Sequence, residues 1–159
     1  MKKIILKKNE DKRVRHGHKW VFSNEIQTIY DKPQAGDILE CYDSMNNFVG
    51  TGFYNPHSLI AFRLLSADKN DIIDIKFWEN RIKSALKLRR ELYGDINSFR
   101  LIYGESDDIS GFILDKYEDY CAAQFISAGA DKNKHDILEA VTNVLKPKGI
   151  MIRNDSHLR

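Results

Sequence analysis

Residues 50–65 constrain the fold of this chain more than any other part of the sequence. Gly50 and Gly52 interrupt a strand-forming run, Asn55-Pro56 predicts a sharp turn, and the next strand-forming run carries Arg63 among apolar residues. Glycine within a strand permits the close approach of another backbone. Proline holds the residue before it in an extended conformation. The stretch therefore predicts two strands joined by a tight corner.

Short strands separated by turn residues are predicted throughout residues 1–68, the first of two domains. Apolar or alternating runs predict strands at 4–6, 26–30, 38–42, 48–54 and 59–65. Residues 20–22, with Ser23 and Asn24 after them, predict a short helix or turn that leads into the second strand. About five short strands in a segment of this length are typical of a small β-barrel.

Residues 69–159 are predicted to form a second domain, of the α+β class. Helical periodicity predicts a helix from about Asp74, its N-cap, to Tyr93, with Gly94 as its stop. A strand, an acidic loop, a hairpin, a helix capped by Asp131 and a last strand are predicted at 99–103, 104–111, 112–125, 131–146 and 149–153. Because no element follows the last strand, we expect that the chain is cut from a larger protein.

Basic residues are concentrated at the start of the chain. Residues 1–22 carry eight Lys and Arg against two acidic residues, whereas residues 23–159 carry 17 basic and 21 acidic residues. The basic cluster includes Arg13, Arg15, His18 and Lys19. Trp20 and Phe22 follow at once, and cations beside aromatic rings suit phosphate pairing and base stacking. The alternatives are a solvated strand that discourages edge pairing and, for Trp20, a place in the core, which we favour.

The basic residues of the long helix predict a solvated face, with a contribution to an RNA surface as the alternative. They are Arg81, Lys83, Lys87, Arg89 and Arg90. We also expect a cytoplasmic protein without membrane association, because no apolar run approaches the roughly 20 residues that span a bilayer. Residues 4–6 are too short an apolar run for a signal peptide.

The sequence contains no motif for catalysis or metal binding. It has no glycine-rich phosphate loop after a strand, no HExxH and no GxSxG. Cys41 and Cys121 stand apart from histidines at metal-ligand spacing, and we expect both to be buried strand residues. The five histidines are scattered along the chain. We therefore expect no catalytic residue, metal site or cofactor site in these 159 residues.

The acidic loop offers the carboxylates Glu105, Asp107, Asp108 and, just beyond it, Asp115. A turn between two strands is the favoured interpretation, because Asp, Ser and Gly dominate turns. The alternatives are a carboxylate pair for acid–base chemistry and a site for a divalent cation.

Four ordered segments resemble one family: His18-Lys19-Trp20-Val21-Phe22-Ser23, Gly36-Asp37, residues 50–65 and residues 100–117. They are similar to the N-terminal half of the class I SAM-dependent RNA methyltransferases that make 5-methylcytosine in large ribosomal RNA. The resemblance implies a PUA-like RNA-binding β-barrel over residues 1–68 and a small α+β domain over 69–159. It also implies that the C-terminal Rossmann-like domain, which holds S-adenosylmethionine and the catalytic cysteine, is absent. The family usually has proline at Lys19, glycine at Asp108 and proline at Ser110.

The resemblance implies that this chain is the RNA-recognition portion of an rRNA cytosine-C5 methyltransferase and is inactive alone. Phosphate contacts would come from Arg13, Arg15, Lys19 and Arg63. His18 and Asn55 would contact a sugar or a base edge. The acidic loop, through Glu105, Asp107 and Asp115, would face the absent domain and shape its cleft. The alternatives are a stand-alone PUA-type RNA-binding adaptor and a protein-interaction or dimerisation module, and a homodimer is compatible with the sequence.

Overall fold

The structure is a computed structural model that describes residues 2–153. The chain divides into two compact units, Met1–Asp71 and Ile72–Arg159. Residues 154–159, which include His157 and follow the last predicted strand, lie outside the described residues. Among the described residues, no helix has both the length and the apolar composition that crossing a bilayer requires.

Six of the described strands form one curled sheet, a half-barrel, in the first unit. They are β1 (Lys3–Leu6), β2 (Trp20–Phe22), β3 (Ile26–Tyr30), β4 (Ile38–Tyr42), β5 (Phe48–Tyr54) and β6 (Ile60–Ser66). Their order is β2-β6-β5-β4-β1-β3, and neighbours are antiparallel except for β1 with β4. The helix or turn predicted for residues 20–22 is wrong, because this segment is a strand that pairs with β6. The tight turn follows it, at Ser23–Glu25.

The core of this unit comes from the alternation of side chains along the strands. Ile4, Leu6, Val21, Leu39 and Phe62 are among its buried members. Apolar residues two apart project to the same side of a sheet, which is why one side of each short strand is sealed from water. A short helix, α1 (Lys12–Arg15), connects β1 to β2. Four residues are too few to produce a helical pattern in the sequence.

Gly50 and Gly52 lie on β5, where the backbone of β6 passes close to both of them. A Cβ on Gly52 would be 2.2 Å from the carbonyl oxygen of Arg63, and one on Gly50 would be 2.7 Å from the carbonyl oxygen of Ser66. Neither distance is compatible with a side chain. The predicted close approach at these glycines is therefore confirmed.

The second unit contains a long helix and a four-stranded sheet. Its elements are α2 (Ile75–Tyr93), β7 (Ser98–Tyr103), β8 (Phe112–Tyr117), β9 (Tyr120–Phe125), α3 (Ala128–Lys132), α4 (Lys134–Leu145) and β10 (Gly149–Ile152). The sheet order is β10-β9-β8-β7, with β10 parallel to β9. The last strand therefore has its partner within this unit.

Both predicted ends of α2 are confirmed. The Asp74 carboxylate accepts a hydrogen bond from the backbone N–H of Phe77 at 2.9 Å, and Gly94 follows the helix with a φ of 64°. Asp131, in contrast, does not cap the next helix. The hydroxyl of Ser127 accepts from the N–H of Ala130 at 3.2 Å and caps α3, so Asp131 lies inside that helix.

Candidate nucleic-acid interface

Cations and aromatic rings lie together along β2, at one end of the strand order of the first sheet. We call Arg13, His18, Lys19, Trp20, Phe22 and Arg63 the β2 surface. Trp20 and Phe22 are half-buried and flank the fully buried Val21, so both project away from the core. The core position favoured for Trp20 is therefore wrong, because the pleat of β2 gives that position to Val21.

Trp20 is the centre of the β2 surface. It stands opposite Arg63 in the antiparallel register of β2 and β6. The Arg63 guanidinium carbon is 5.5 Å from the centroid of the Trp20 ring, which is within the range of a cation–π interaction. The His18 ring meets the same indole edge-on, with centroids 6.0 Å apart. Lys19 is held beside them, because its carbonyl accepts from the N–H of Leu64 at 2.7 Å.

Arg13 is oriented by a buried carboxylate. Its guanidinium forms an ion pair with Glu25 and lies 5.3 Å from the centroid of the Phe22 ring. Glu25 also accepts from the N–H of Phe22 at 2.8 Å, which fixes the carboxylate. The Arg13 side chain stays 44% exposed. A guanidinium has five N–H donors, so this arginine retains donors on its exposed side.

Arg15 makes different contacts from Arg13. Its guanidinium contacts Asp11 at 2.8 Å, Asp43 at 3.1 Å and the carbonyl of Phe48 at 3.3 Å. The hydrogen bond to Asp11 is the largest cause that raises the pKa of Arg15 above its ordinary value, and the hydrogen bond to Asp43 acts in the same direction. The side chain thus ties α1 to the turn between β4 and β5.

Asn55 shapes the corner between β5 and β6. Its side-chain oxygen accepts from the N–H of His57 at 3.0 Å, and its own N–H donates to the carbonyl of Ala61 at 2.9 Å. The tight corner predicted at Asn55-Pro56 is confirmed. Of the six residues predicted to contact RNA, the β2 surface contains Arg13, His18, Lys19 and Arg63, whereas Arg15 and Asn55 make structural contacts nearby in the same unit.

The acidic loop of the second unit is a tight turn held by arginines of α2. Asp107 forms two hydrogen bonds of 2.7 Å with Arg89 and accepts a third, also of 2.7 Å, from the N–H of Tyr103. Asp108 pairs with Arg81 at 3.1 Å. The turn predicted at 104–111 is confirmed. Asp108 has a φ of 60°, in the left-handed region that favours glycine.

The two other acidic residues predicted to shape a cleft also have partners. Asp115 on β8 binds Arg100 on β7 through hydrogen bonds of 2.7 and 3.0 Å. Glu105 accepts from the hydroxyl of Ser110 at 2.7 Å. Within residues 2–153, no group of three His, Cys, Asp or Glu side chains is arranged to hold a metal ion.

Both cysteines are buried strand residues, as predicted, with Cys41 in β4 and Cys121 in β9. Burial raises the pKa of each thiol. Because the thiolate is the nucleophilic form, neither side chain suits covalent catalysis at neutral pH.

This gives a prediction for thiol reactivity. A chromogenic disulfide reagent at pH 7.5 should label neither cysteine rapidly in the native chain and should label both within minutes in denaturant, because unfolding restores access and lowers the thiol pKa. Absorbance at the reagent's product band measures the rate. Rapid labelling of the native chain would contradict the burial of these two side chains.

S-adenosylmethionine, which the resemblance implies for the whole protein, does not fit the described residues. Dinucleotide and nucleoside cofactors bind where a glycine-rich turn joins a parallel strand to a helix N-terminus. Among the described strands, each sheet has a single parallel pair, β1 with β4 and β9 with β10. α3 and α4 connect β9 to β10, but Gly129 is the one glycine between these two strands, and β2 and β3 intervene between β1 and β4.

Comparisons with known proteins agree with this architecture. Residues 4–67 match the family model of a PUA-like domain. Ribosomal RNA large subunit methyltransferase I of Pseudoalteromonas translucida is 35% identical over 158 residues, and that of Photobacterium profundum is 35% identical over 160 residues. Each alignment covers 98% of this chain and 40% of the relative. The chain thus spans about 40% of the length of these curated relatives.

Two solved structures share the fold at 16% identity. One is described as a candidate SAM-dependent methyltransferase from Streptococcus mutans, with a TM-score of 0.79 over 96% of this chain and 41% of that protein. The other is a candidate methyltransferase complexed with SAH, with a TM-score of 0.79 over 96% of this chain and 40% of its own. At this identity the likeness supports the fold alone. Residues 4–67 thus match a PUA-like domain and form a curled β half-barrel, and a small α+β unit follows them in the chain.

Proposed function

We propose that this chain is the RNA-recognition portion of a SAM-dependent methyltransferase that modifies carbon 5 of a cytosine in large-subunit ribosomal RNA. The PUA-like match over residues 4–67 supports a role in RNA recognition. The names of relatives that align with 98% of the chain support ribosomal RNA as the partner. S-adenosylmethionine then belongs to the part of the protein that lies outside these residues. The cytosine specificity rests on the four ordered motifs in the sequence.

The observation that carries the proposal is the Trp20–Arg63 pair within the β2 surface. An indole that is partly exposed and lies beside a guanidinium offers a stacking face and a charge to one nucleotide. In this proposal Arg13, Lys19 and Arg63 pair with phosphates, which positions the RNA without reading its sequence. His18 contacts a sugar or a base edge.

In this proposal, Arg15 and Asn55 support the elements around the β2 surface. Arg15 holds α1, the helix that carries Arg13, through its hydrogen bonds to Asp11 and Asp43. Asn55 presents the β5–β6 corner to the RNA. The loop that contains Glu105 and Asp107, together with Asp115, faces the catalytic part of the protein, and its arginine pairs keep it rigid.

The test is RNA binding by the 159-residue chain. A variant with His18→Gln, Lys19→Gln and Arg63→Gln should bind a labelled hairpin of large-subunit ribosomal RNA at least tenfold more weakly at low salt, because phosphate pairing dominates such affinities. Fluorescence anisotropy across a salt series measures both the affinity and its salt dependence.

Lys32→Gln with Lys69→Gln is the charge-neutralising control in the same unit. Lys32 follows β3, at the opposite end of the strand order from β2, and Lys69 lies over the rings of Tyr42 and Phe48. The control should keep its affinity. Absence of binding by the unaltered chain at low salt would overturn the proposal and would favour a protein-interaction module. Light scattering on the same samples tests for a homodimer.

Bisulfite sequencing tests the cytosine specificity. Large-subunit ribosomal RNA from cells that lack the gene should have lost one 5-methylcytosine that cells with the gene contain. The 159-residue chain, given S-adenosylmethionine and ribosomal RNA, should transfer no methyl group. An unchanged pattern of 5-methylcytosine would limit the proposal to an RNA-binding adaptor.

A further inference from the structure

The basic residues of α2 divide into two groups with different surroundings. Arg81 and Arg89 pair with the acidic loop, through Asp108 at 3.1 Å and Asp107 at 2.7 Å. Lys83, Lys87 and Arg90 recur at intervals of four and three residues, so they form one row along a different side of the helix.

A groove runs beside this row. Two adjoining recesses of about 490 and 390 Å³ share Leu86 and Arg90 in their walls. The charged residues along them are four cations, Lys83, Lys87, Arg90 and Lys116, and two acids, Glu91 and Asp95. The groove therefore has a net positive charge. Phe99 and the largely exposed Ile96 add apolar surface to its wall.

Local ion pairs leave this charge accessible. Lys87 and Glu91 are 3.9 Å apart, with side chains 80% and 62% exposed, and such pairs contribute little. Lys83 is 3.5 Å from Glu79, whose carboxylate also binds Lys76. Arg90 forms no ion pair with any residue between 2 and 153.

We propose that this groove is a second RNA-contact site, which binds the phosphodiester backbone of a single strand. Along the helix axis, Lys83 and Lys87 are about 6 Å apart and Lys87 and Arg90 are about 4.5 Å apart. Successive phosphates of one strand can therefore each contact one of these cations. The apolar wall accepts the unpaired bases, which stack without regard to sequence. The inference rests on the proposed function and extends RNA recognition from the PUA-like domain to the α+β unit.

Charge complementarity selects RNA over other occupants. The groove presents cations in a row, which match a polyanion with regularly spaced charges, and the β2 surface offers the same chemistry on the first unit. An acidic peptide carries its charges at irregular spacing and is the competing occupant in the test.

The test is a variant with Lys83→Gln, Lys87→Gln and Arg90→Gln in the 159-residue chain. It should bind a labelled oligouridylate about tenfold more weakly at low salt. The slope of log affinity against log salt should fall by about 2, because each phosphate contact to a single strand contributes about 0.7. A ribosomal RNA hairpin with a single-stranded tail should show the same loss, and the hairpin without the tail should show a smaller one.

The matched control replaces Lys132, Lys134 and Lys148 with Gln, which removes the same charge from exposed positions of the same unit. Equal RNA affinities of the α2 variant and this control would overturn the inference. The proposed function would still stand if the variant at His18, Lys19 and Arg63 loses RNA binding. Failure of the unaltered chain to bind any RNA would overturn both. Competition by polyglutamate as effective as by oligouridylate would overturn the inference, because the groove would then bind any polyanion and not RNA in particular. Circular dichroism melts should coincide for the α2 variant and this control, because the side chains replaced in both are exposed.

Discussion

Replacement of Asp107 by Ala should lower the free energy of unfolding of the second unit by about 3 to 5 kcal/mol. The Asp107 side chain is 3% exposed and that of Arg89 is 12% exposed. The change removes both hydrogen bonds to Arg89 and the one from the N–H of Tyr103. It leaves a buried guanidinium without its counter-charge, and this accounts for most of the cost.

Urea denaturation followed by Trp78 fluorescence measures this effect, since Trp78 is buried on α2 in the same unit. A variant with Trp20→Phe removes the second tryptophan signal. Asp119→Ala is the control, because Asp119 pairs with Lys148 through side chains that are 62% and 68% exposed, and it should leave the unfolding transition nearly unchanged. A loss below 1 kcal/mol for Asp107→Ala would mean that the Arg89 pair does not hold the loop.

The second large effect is expected at Gly52, where Ala should destabilise the first unit by about 3 kcal/mol. The new Cβ would be 2.2 Å from the carbonyl oxygen of Arg63 and 2.7 Å from Cζ of Phe62. Gly52 also pairs with Leu39 on one side and Leu64 on the other. The strand therefore cannot move away from β6 without loss of its pairing with β4.

Gly149→Ala is the matched control for this change. Gly149 also lies in a strand, and the nearest atom to its Cβ would be at 3.4 Å, on the Tyr120 ring. The replacement should change stability by no more than about 0.5 kcal/mol. Chemical denaturation followed by circular dichroism compares the two variants. Equal stabilities of the Gly52 and Gly149 variants would show that β5 and β6 are not packed as closely as described.

Local patterns in the sequence were sufficient for most of the strands and for α2. Alternation, helical periodicity and the Asp74 and Gly94 boundary residues depend on neighbours within a few positions, so a single sequence contains them. The errors have a common physical cause. Trp20–Phe22 is a strand because β6 pairs with it, and Asp131 is not a cap because Ser127, four residues earlier, already starts α3. Both outcomes depend on competing partners.

For the β2 surface too, the sequence predicted the residues that are close along the chain and missed the contacts that depend on distant partners. The sequence indicated that Arg13, His18, Lys19 and Trp20 form one cluster, because they are close along the chain. The spacing of residues did not place Arg63 with them, and only the family resemblance implied it. The register between β2 and β6 brings Arg63 opposite Trp20. The sequence also could not separate Arg13 from Arg15, because Glu25 and Asp43, which hold them, are distant in sequence.

The sequence by itself determined the close approach at Gly50 and Gly52, the corner at Asn55 and the PUA-like resemblance of the first part of the chain. Each depends on residue types at short, fixed spacing. Only the tertiary structure decided which cations are committed to carboxylates. Along α2, Arg81 and Arg89 form ion pairs with the acidic loop, whereas the row of Lys83, Lys87 and Arg90 lines a groove. Electrostatic pairing acts through space, and the chain order of like residues does not reveal their partners.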